Sequence, residues 1–377
     1  MSTHCMIPDT IRKIFAASYC NIGFVGGSLT AAAGAGDTTV TSWRRLFVQY
    51  IYERYHRAYH CQPMEVMGGV GAMESFGAVF TLERNVIPFL PTIVFVEFCV
   101  NDRNSPDKDL VKKGIEGIIR QLRACKSHPD VVLVGAGCRP GSDPFTGDLV
   151  DHTIHRDIAD YYGLPFIDVQ DYLLTTLAQR GQTWDDVSIV FEAKDSVHLN
   201  DYGNRLWFEA LREWFEEQVT QYRMNPTDEW SQQLPPPCFS DEFQYTSLID
   251  PSRRDKRFSL EGSWETKNPA LVPWYLDHLL IGRPGDKLTF TFSGTAIGAI
   301  ALVYCNGLKV EAVVDGEKVI GPYTNFSIEF GKFFLMKHGM ENREHVLELA
   351  VAEPMRRQNK LEDPQAQIGY LCVAKRE

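Results

Sequence analysis

Up to residue 225, short β-rich apolar runs alternate with longer stretches whose apolar residues recur at helical spacing. Asn21–Gly26, Glu65–Met67, Thr92–Phe98, Val131–Gly135 and Pro165–Asp168 read as strands. Ser42–Tyr59, Ser75–Phe89, Lys108–Ser127, His152–Tyr162 and Asp201–Tyr222 read as helices. "TIVFVEF" and "VVLVGAG" are nearly continuous in apolar residues, as parallel strands covered on both faces require. A strand then a helix, repeated along the chain, predicts a doubly wound α/β sheet. Its active site belongs at the carboxyl ends of the strands.

Beyond Met224 the pattern changes. "NPTDEWSQQLPPPCFSDEF" is polar, and Pro235-Pro236-Pro237 forbids regular structure. Residues 226–245 therefore read as a linker between a domain at 1–225 and one at 246–377. In the second half, "DKLTFTFSGTAIGAIALVY", "LKVEAVVDGEKVI" and "HVLELAVAE" alternate with period two, and Asp315-Gly316 is a hairpin signal. This half is expected to be an antiparallel β-sandwich of about jelly-roll size.

Composition narrows the function classes. A net charge of −11 and an isoelectric point near 5.4 argue against a nucleic-acid partner, which needs a basic face. The nine cysteines are scattered and never spaced C-x-x-C, which fits free thiols in a reducing compartment. No apolar run approaches the ~18 residues of a membrane span, and the N-terminus lacks a secretory h-region. The expectation is a cytoplasmic protein with no membrane partner.

"IGFVGGSLTAAAGAG" sets Ser28 between two glycines and a run of small residues, at the end of the first strand and ahead of a helix. No lysine follows as in a phosphate-binding loop, and Thr30 breaks the G-x-S-x-G pattern. A plain strand-to-helix turn and an exposed nucleophile are both open on this stretch alone. "VFVEFCVNDRN" places Asn101 and Asp102 past the third strand, at the same sheet edge. "AKDSVHLNDYGN" places Asp195 and His198 ahead of the last helix. Helix capping and loop solvation would explain each pair singly. The order Ser, Asn, Asp-His, each at a strand end, is what points to nucleophilic catalysis.

These segments resemble the four blocks of the SGNH (GDSL-like) hydrolase superfamily. "FVGGSLTAAAGAG" is similar to the nucleophile block, "MGGVGAMES" to the glycine block, "FVEFCVND" to the asparagine block and "DSVHLNDYG" to the acid-base block. The form GGS-[IL]-T with V-E-F-x-V-N-D looks most like members that deacylate carbohydrates, which often carry an extra jelly-roll module. The resemblance implies a flavodoxin-like three-layer α/β/α domain. It implies Ser28 as nucleophile, His198 as base and Asp195 as the carboxylate that fixes the imidazole. The oxyanion hole would comprise the Ser28 N–H, the Asn101 amide and one N–H from the glycine block. An ungapped count puts Ala72 at that last position, serviceable at negative φ, with Gly71 as the alternate. Leu199 stands where His-Pro is usual, a change expected to alter only the loop.

The expected function is a serine esterase acting on short acyl groups, acetyl first, of a small-molecule or oligosaccharide ester. It needs no metal or organic cofactor. Alternatives are a lipase or thioesterase, a polysaccharide O-acyltransferase, and a carbohydrate-binding protein with a relic hydrolase domain. Self-association through the sandwich is a further expectation. His152 and His155 stand at helical i, i+3 spacing and could pair on a metal, but a solvated helix face is favoured. Arg139 could line the cleft or serve the scaffold, and Trp264 and Trp274 read as core before sugar platform.

Overall fold

The computed structural model describes residues 5–103, 105–142, 149–190, 194–226, 234–269, 275–303, 309–320, 330–352 and 365–376. The chain divides into two compact units, Met1–Asp241 and Glu242–Glu377.

The first unit is built on five strands: β1 (Tyr19–Gly26), β2 (Gln62–Gly69), β3 (Ile93–Glu97), β4 (Asp130–Gly135) and β5 (Phe166–Asp168). They are all parallel, in the order β2-β1-β3-β4-β5. This is the flavodoxin-like doubly wound order, with its switch point between β1 and β3. Both faces are covered, as the apolar runs demand. Ile22, Phe24, Ile93, Phe95, Val132 and Val134 face one core, while the alternate residues Val25, Val94, Val96 and Leu133 are equally buried.

The helices are α1 (Pro8–Phe15), α2 (Trp43–Tyr59), α3 (Ser75–Ala78), α4 (Leu82–Asn85), α5 (Cys99–Asp102), α6 (Lys108–Ala124), α7 (Thr153–Tyr162), α8 (Val169–Gln179), α9 (Trp184–Val187) and α10 (Asp201–Met224). Several differ from the sequence reading. Ser75–Phe89 is not one helix but α3, α4 and a 3₁₀ turn at Ile87–Phe89. Gly77 weakens its first turn and Pro88 cannot continue an α-helix. α8 was not foreseen, because it starts directly at the end of β5 with Asp168 as its cap, accepting from the Asp171 N–H at 3.0 Å. A two-stranded antiparallel hairpin, β6 (Ser188–Val190) and β7 (Lys194–Leu199), precedes α10.

Residues 234–241 belong to this unit rather than to a free connector. Glu116 of α6, fully buried, accepts from the backbone N–H groups of Cys238, Phe239 and Ser240. Arg120 donates to the Pro235 carbonyl at 2.9 Å, and the Tyr161 hydroxyl to that of Pro236 at 3.0 Å.

The second unit holds two antiparallel sheets. Its strands are β8 (Tyr245–Ile249), β9 (Phe258–Glu261), β10 (Glu265–Lys267), β11 (Leu279–Gly282), β12 (Lys287–Gly294), β13 (Ala296–Val303), β14 (Lys309–Val314), β15 (Glu317–Ile320), β16 (Phe330–Lys337), β17 (Arg343–Ala352) and β18 (Ala366–Lys375). One sheet runs β10-β11-β18-β13-β16, with β8 also on β18, and the other runs β15-β14-β17-β12-β9. Leu280, Ile297 and Leu371 from the first meet Phe290, Leu347 and Leu349 from the second in one apolar core. Asp315 and Gly316 turn between β14 and β15 with φ of 52° and 81°, the double positive φ that Asp-Gly hairpins use. Trp264 is buried, and its indole N–H donates to the Glu261 and Lys287 carbonyls. It is a core residue and no platform. Trp274 lies outside the described residues.

Candidate active site

The sheet register sets the site. Gly26 at the end of β1 pairs with Gly69 of β2 and with Glu97 of β3, so three segments leave the sheet at one level. Ser28 follows Gly26 by two positions, and Asn101 follows Glu97 by four. The Val70 N–H donates to the Gly26 carbonyl at 3.0 Å, drawing the glycine-block segment to the same spot. A Cβ on Gly69 would stand 2.9 Å from the Ala31 nitrogen, so only glycine lets the Ser28 loop approach this closely.

Ser28 opens a turn rather than a helix. Ala31 N–H bonds back to Gly27 and Ala33 N–H to Ser28, both at 2.9 Å, and the next helix begins at Trp43. The intervening loop is latched at several points. The Trp43 indole N–H donates to the Leu29 carbonyl at 3.0 Å. The Gly36 N–H and the Thr41 hydroxyl both donate to Asp201 Oδ1, at 2.7 and 2.6 Å. Gly34, at φ 102°, lies against the Leu199 carbonyl. Leu199 ends β7 and Asp201 follows it, so the bonds to Asp201 bring together segments 165 and 160 residues apart in sequence.

β7 carries the other half of the site. Its pairing with β6 slips between Ser188 and Val190, so Ser188 faces Leu199 while Val190 faces Lys194. The extra residues on β7 form a bulge, a device that re-aims side chains. In it Asp195 folds back on its own backbone, Oδ1 accepting from the Val197 and His198 N–H groups at 2.6 and 2.8 Å. Asp195 Oδ2 lies 2.8 Å from His198 Nδ1, and His198 Nε2 lies 2.9 Å from Ser28 Oγ. Partial burial opposes the charge on Asp195, but the imidazole and these two N–H donors outweigh it and hold the carboxyl below its ordinary range. With the carboxylate ionised, Nδ1 carries the imidazole proton and Nε2 is left to accept from the Ser28 hydroxyl. Leu199, where the resemblance foresaw only a loop change, is a buried core residue. The Arg139 N–H donates to the Ser196 carbonyl at 2.7 Å, and its guanidinium pairs with Asp185 at 2.6 Å. Arg139 thus braces the Asp195–His198 bulge.

Asn101 packs directly on the Ser28 turn: a Cβ on Gly27 would stand 2.0 Å from Asn101 Oδ1. Gly71 has open space at its Cβ position. Ala72 has φ 57°, not the negative φ expected, because the chain reverses there after β2. A non-glycine residue in this left-handed region costs about 1–2 kcal/mol.

His152 and His155 correct another expectation. Both are buried, not solvated. His152 Nε2 lies 2.9 Å from the Ala136 carbonyl and its Nδ1 3.5 Å from Asp168. His155 Nε2 lies 3.0 Å from Asp102 Oδ2, while Asp102 Oδ1 accepts from the Ser75 N–H at 2.8 Å. The two histidines therefore serve different partners. Among the described residues no group of three or more His, Cys, Asp or Glu is placed to hold a metal ion. Nor, among them, is any helix long and apolar enough to cross a membrane.

Sequence reasoning gave no role to Glu97. It is fully buried and accepts from the Thr30 hydroxyl at 3.1 Å. The available signal was a carboxylate inside an otherwise apolar strand.

Residues 24–206 match the GDSL-like lipase/acylhydrolase family. Among solved structures, the chain is similar to a two-domain esterase (CEX) active on acetylated mannans, with TM-score 0.82 and 18% identity, covering 99% of this chain and 96% of that one. A two-domain esterase (CEX) active on acetylated mannans co-crystallised with mannopentaose gives TM-score 0.80 and 17% identity over 100% of this chain and 98% of that one. No curated protein sequence matches the chain.

Proposed function

We propose, from the match of residues 24–206 to the GDSL-like lipase/acylhydrolase family, that the chain is a carboxylic ester hydrolase removing short acyl groups, acetyl first, from sugars or oligosaccharides. The observation that carries the mechanism is the unbroken hydrogen-bond chain from Ser28 through His198 to Asp195. His198 Nε2 takes the Ser28 proton as Oγ attacks the ester carbonyl, and Asp195 stabilises the imidazolium that forms. The tetrahedral oxyanion is received by the Ser28 N–H, the Asn101 amide and the N–H of Ala72 or Gly71. Collapse breaks the ester C–O bond, and the imidazolium protonates the departing sugar oxygen. Water, activated by the same imidazole, then releases the acid and restores Ser28.

Two features favour small acyl groups on a sugar. The residues around Ser28 in its turn include the small Gly26, Gly27, Ala31 and Ala32. The described neighbours in fold are esterases of acetylated mannans, one holding a mannan oligosaccharide. The free thiols of the eight described cysteines fit a reducing compartment.

A panel of chromogenic esters from acetyl to octanoyl, run beside acetylated mannose and xylose oligosaccharides, tests the proposal. The highest kcat/KM is expected for acetyl and for the acetylated sugar. A higher value for octanoyl would replace this reading with a lipase or thioesterase.

A further inference from the structure

Two residues that the triad leaves idle face each other beneath the Ser28 turn. Thr30 and Glu97 are both fully buried, and the Thr30 hydroxyl donates to Glu97 Oε2 at 3.1 Å. The Gly27 backbone N–H also favours the charged form of this carboxyl. There is no spare room: a Cβ on Gly26 would stand 2.1 Å from Thr30 Oγ1 and 2.5 Å from the Glu97 carbonyl. Glu97 Oε1 has no hydrogen-bond partner among the described residues. The turn that presents Ser28 is thus wrapped around one carboxyl group.

We propose that Glu97 is a positioning residue that works in its protonated form, clamping the Gly26–Thr30 turn while keeping negative charge away from the oxyanion. The inference rests on the esterase reading of Ser28. A protonated carboxyl still accepts from the Thr30 hydroxyl, and it is neutral. An ionised one, buried and beside the nucleophile turn, would oppose the charge that develops on the substrate carbonyl. Burial pushes the Glu97 carboxyl up to about 8; the Asp102 charge adds to the rise, and the Thr30 and Gly27 donors oppose it. The titratable groups around it among the described residues are Asp102 and Cys99 on α5. His155 reaches Asp102 from α7. The Cys99 thiol is itself pushed well up by burial.

The test is the pH profile of kcat/KM on a small chromogenic acetate, corrected for the rate without enzyme. The wild type should lose activity above the ionisation of Glu97, with a midpoint near 8. Glu97→Gln should keep kcat at pH 7 within about threefold and lose the alkaline fall, whereas Glu97→Ala should lose about tenfold or more in kcat with KM little changed. Thr30→Val removes a donor that favours the ionised form, so it should move the alkaline fall to higher pH, and Thr30→Ser should restore it. An alkaline fall that persists in Glu97→Gln, or that stays put in Thr30→Val, overturns the proposal. Should Glu97→Gln not fold, the Thr30 pair decides. If Ser28→Ala retains activity, the esterase reading fails; if Ser28→Ala is inactive while the alkaline fall ignores Glu97 and Thr30, this inference alone fails.

Discussion

Replacing Ser28 with alanine should lower kcat on an acetyl ester by about 10⁴-fold or more, as removal of the nucleophile does in triad hydrolases. Fold stability should hardly change. The Ser28 hydroxyl bonds to His198 alone among the described side chains, and the turn itself is held by backbone bonds from Ala31 and Ala33 and by the Trp43 bond to Leu29. The melting temperature is therefore expected within about 3 °C of wild type. His198→Ala should cost a comparable factor, and the double variant should be no slower than either single one, because the pair acts as a unit. Steady-state rates with thermal melts of the same preparations check this. A Ser28→Ala enzyme with wild-type turnover would remove the nucleophile from the account.

The second large effect concerns where the first unit ends. The sequence boundary at 225 predicts that residues 1–225 fold alone, but the compact unit extends to Asp241. Cutting at 225 strips the buried Glu116 of three backbone donors and leaves Arg120 and Tyr161 without the Pro235 and Pro236 carbonyls. Hydrogen bonds to a charged group are worth about 1.5–3 kcal/mol each, less where water replaces the lost partner. Residues 1–225 should accordingly be less stable than residues 1–241 by about 2–4 kcal/mol, a drop of several degrees or more in melting temperature. Within the full chain, Glu116→Ala should destabilise in the same direction. Equal melting temperatures for the two truncations would show that residues 234–241 contribute nothing to the first unit.

Much of this architecture is legible from local pattern. Strands such as Thr92–Phe98 announce themselves because both faces are buried and the run is almost wholly apolar, and β12 and β17 alternate because each has one buried face. The Ser28 and Asn101 segments stand out because each follows an apolar strand with a polar residue at its end, and Asp195–His198 by its D-x-x-H spacing. What stayed hidden depends on partners distant in sequence. His155 looks solvated until Asp102, 53 residues away, is seen to take it inside. The loop from Ser28 to Ser42 shows no regular pattern, and its order comes from Leu199 at the end of β7 and Asp201 just after it. The bulge that bends Asp195 back toward His198 is invisible for the same reason: β7 acquires its register only by pairing with β6. Glu97 was in plain view as a charge in an apolar strand, but its meaning needs Thr30 and Gly27 beside it.

The most direct measurement is to catch the covalent intermediate. The enzyme is mixed with an acetylated oligosaccharide, quenched in acid within the first turnover, digested and mapped by mass spectrometry. The account predicts one added acetyl group on the peptide containing Ser28, absent from Ser28→Ala and from enzyme quenched after the substrate is exhausted. An acetyl group on another residue, or full turnover with none on Ser28, would contradict it.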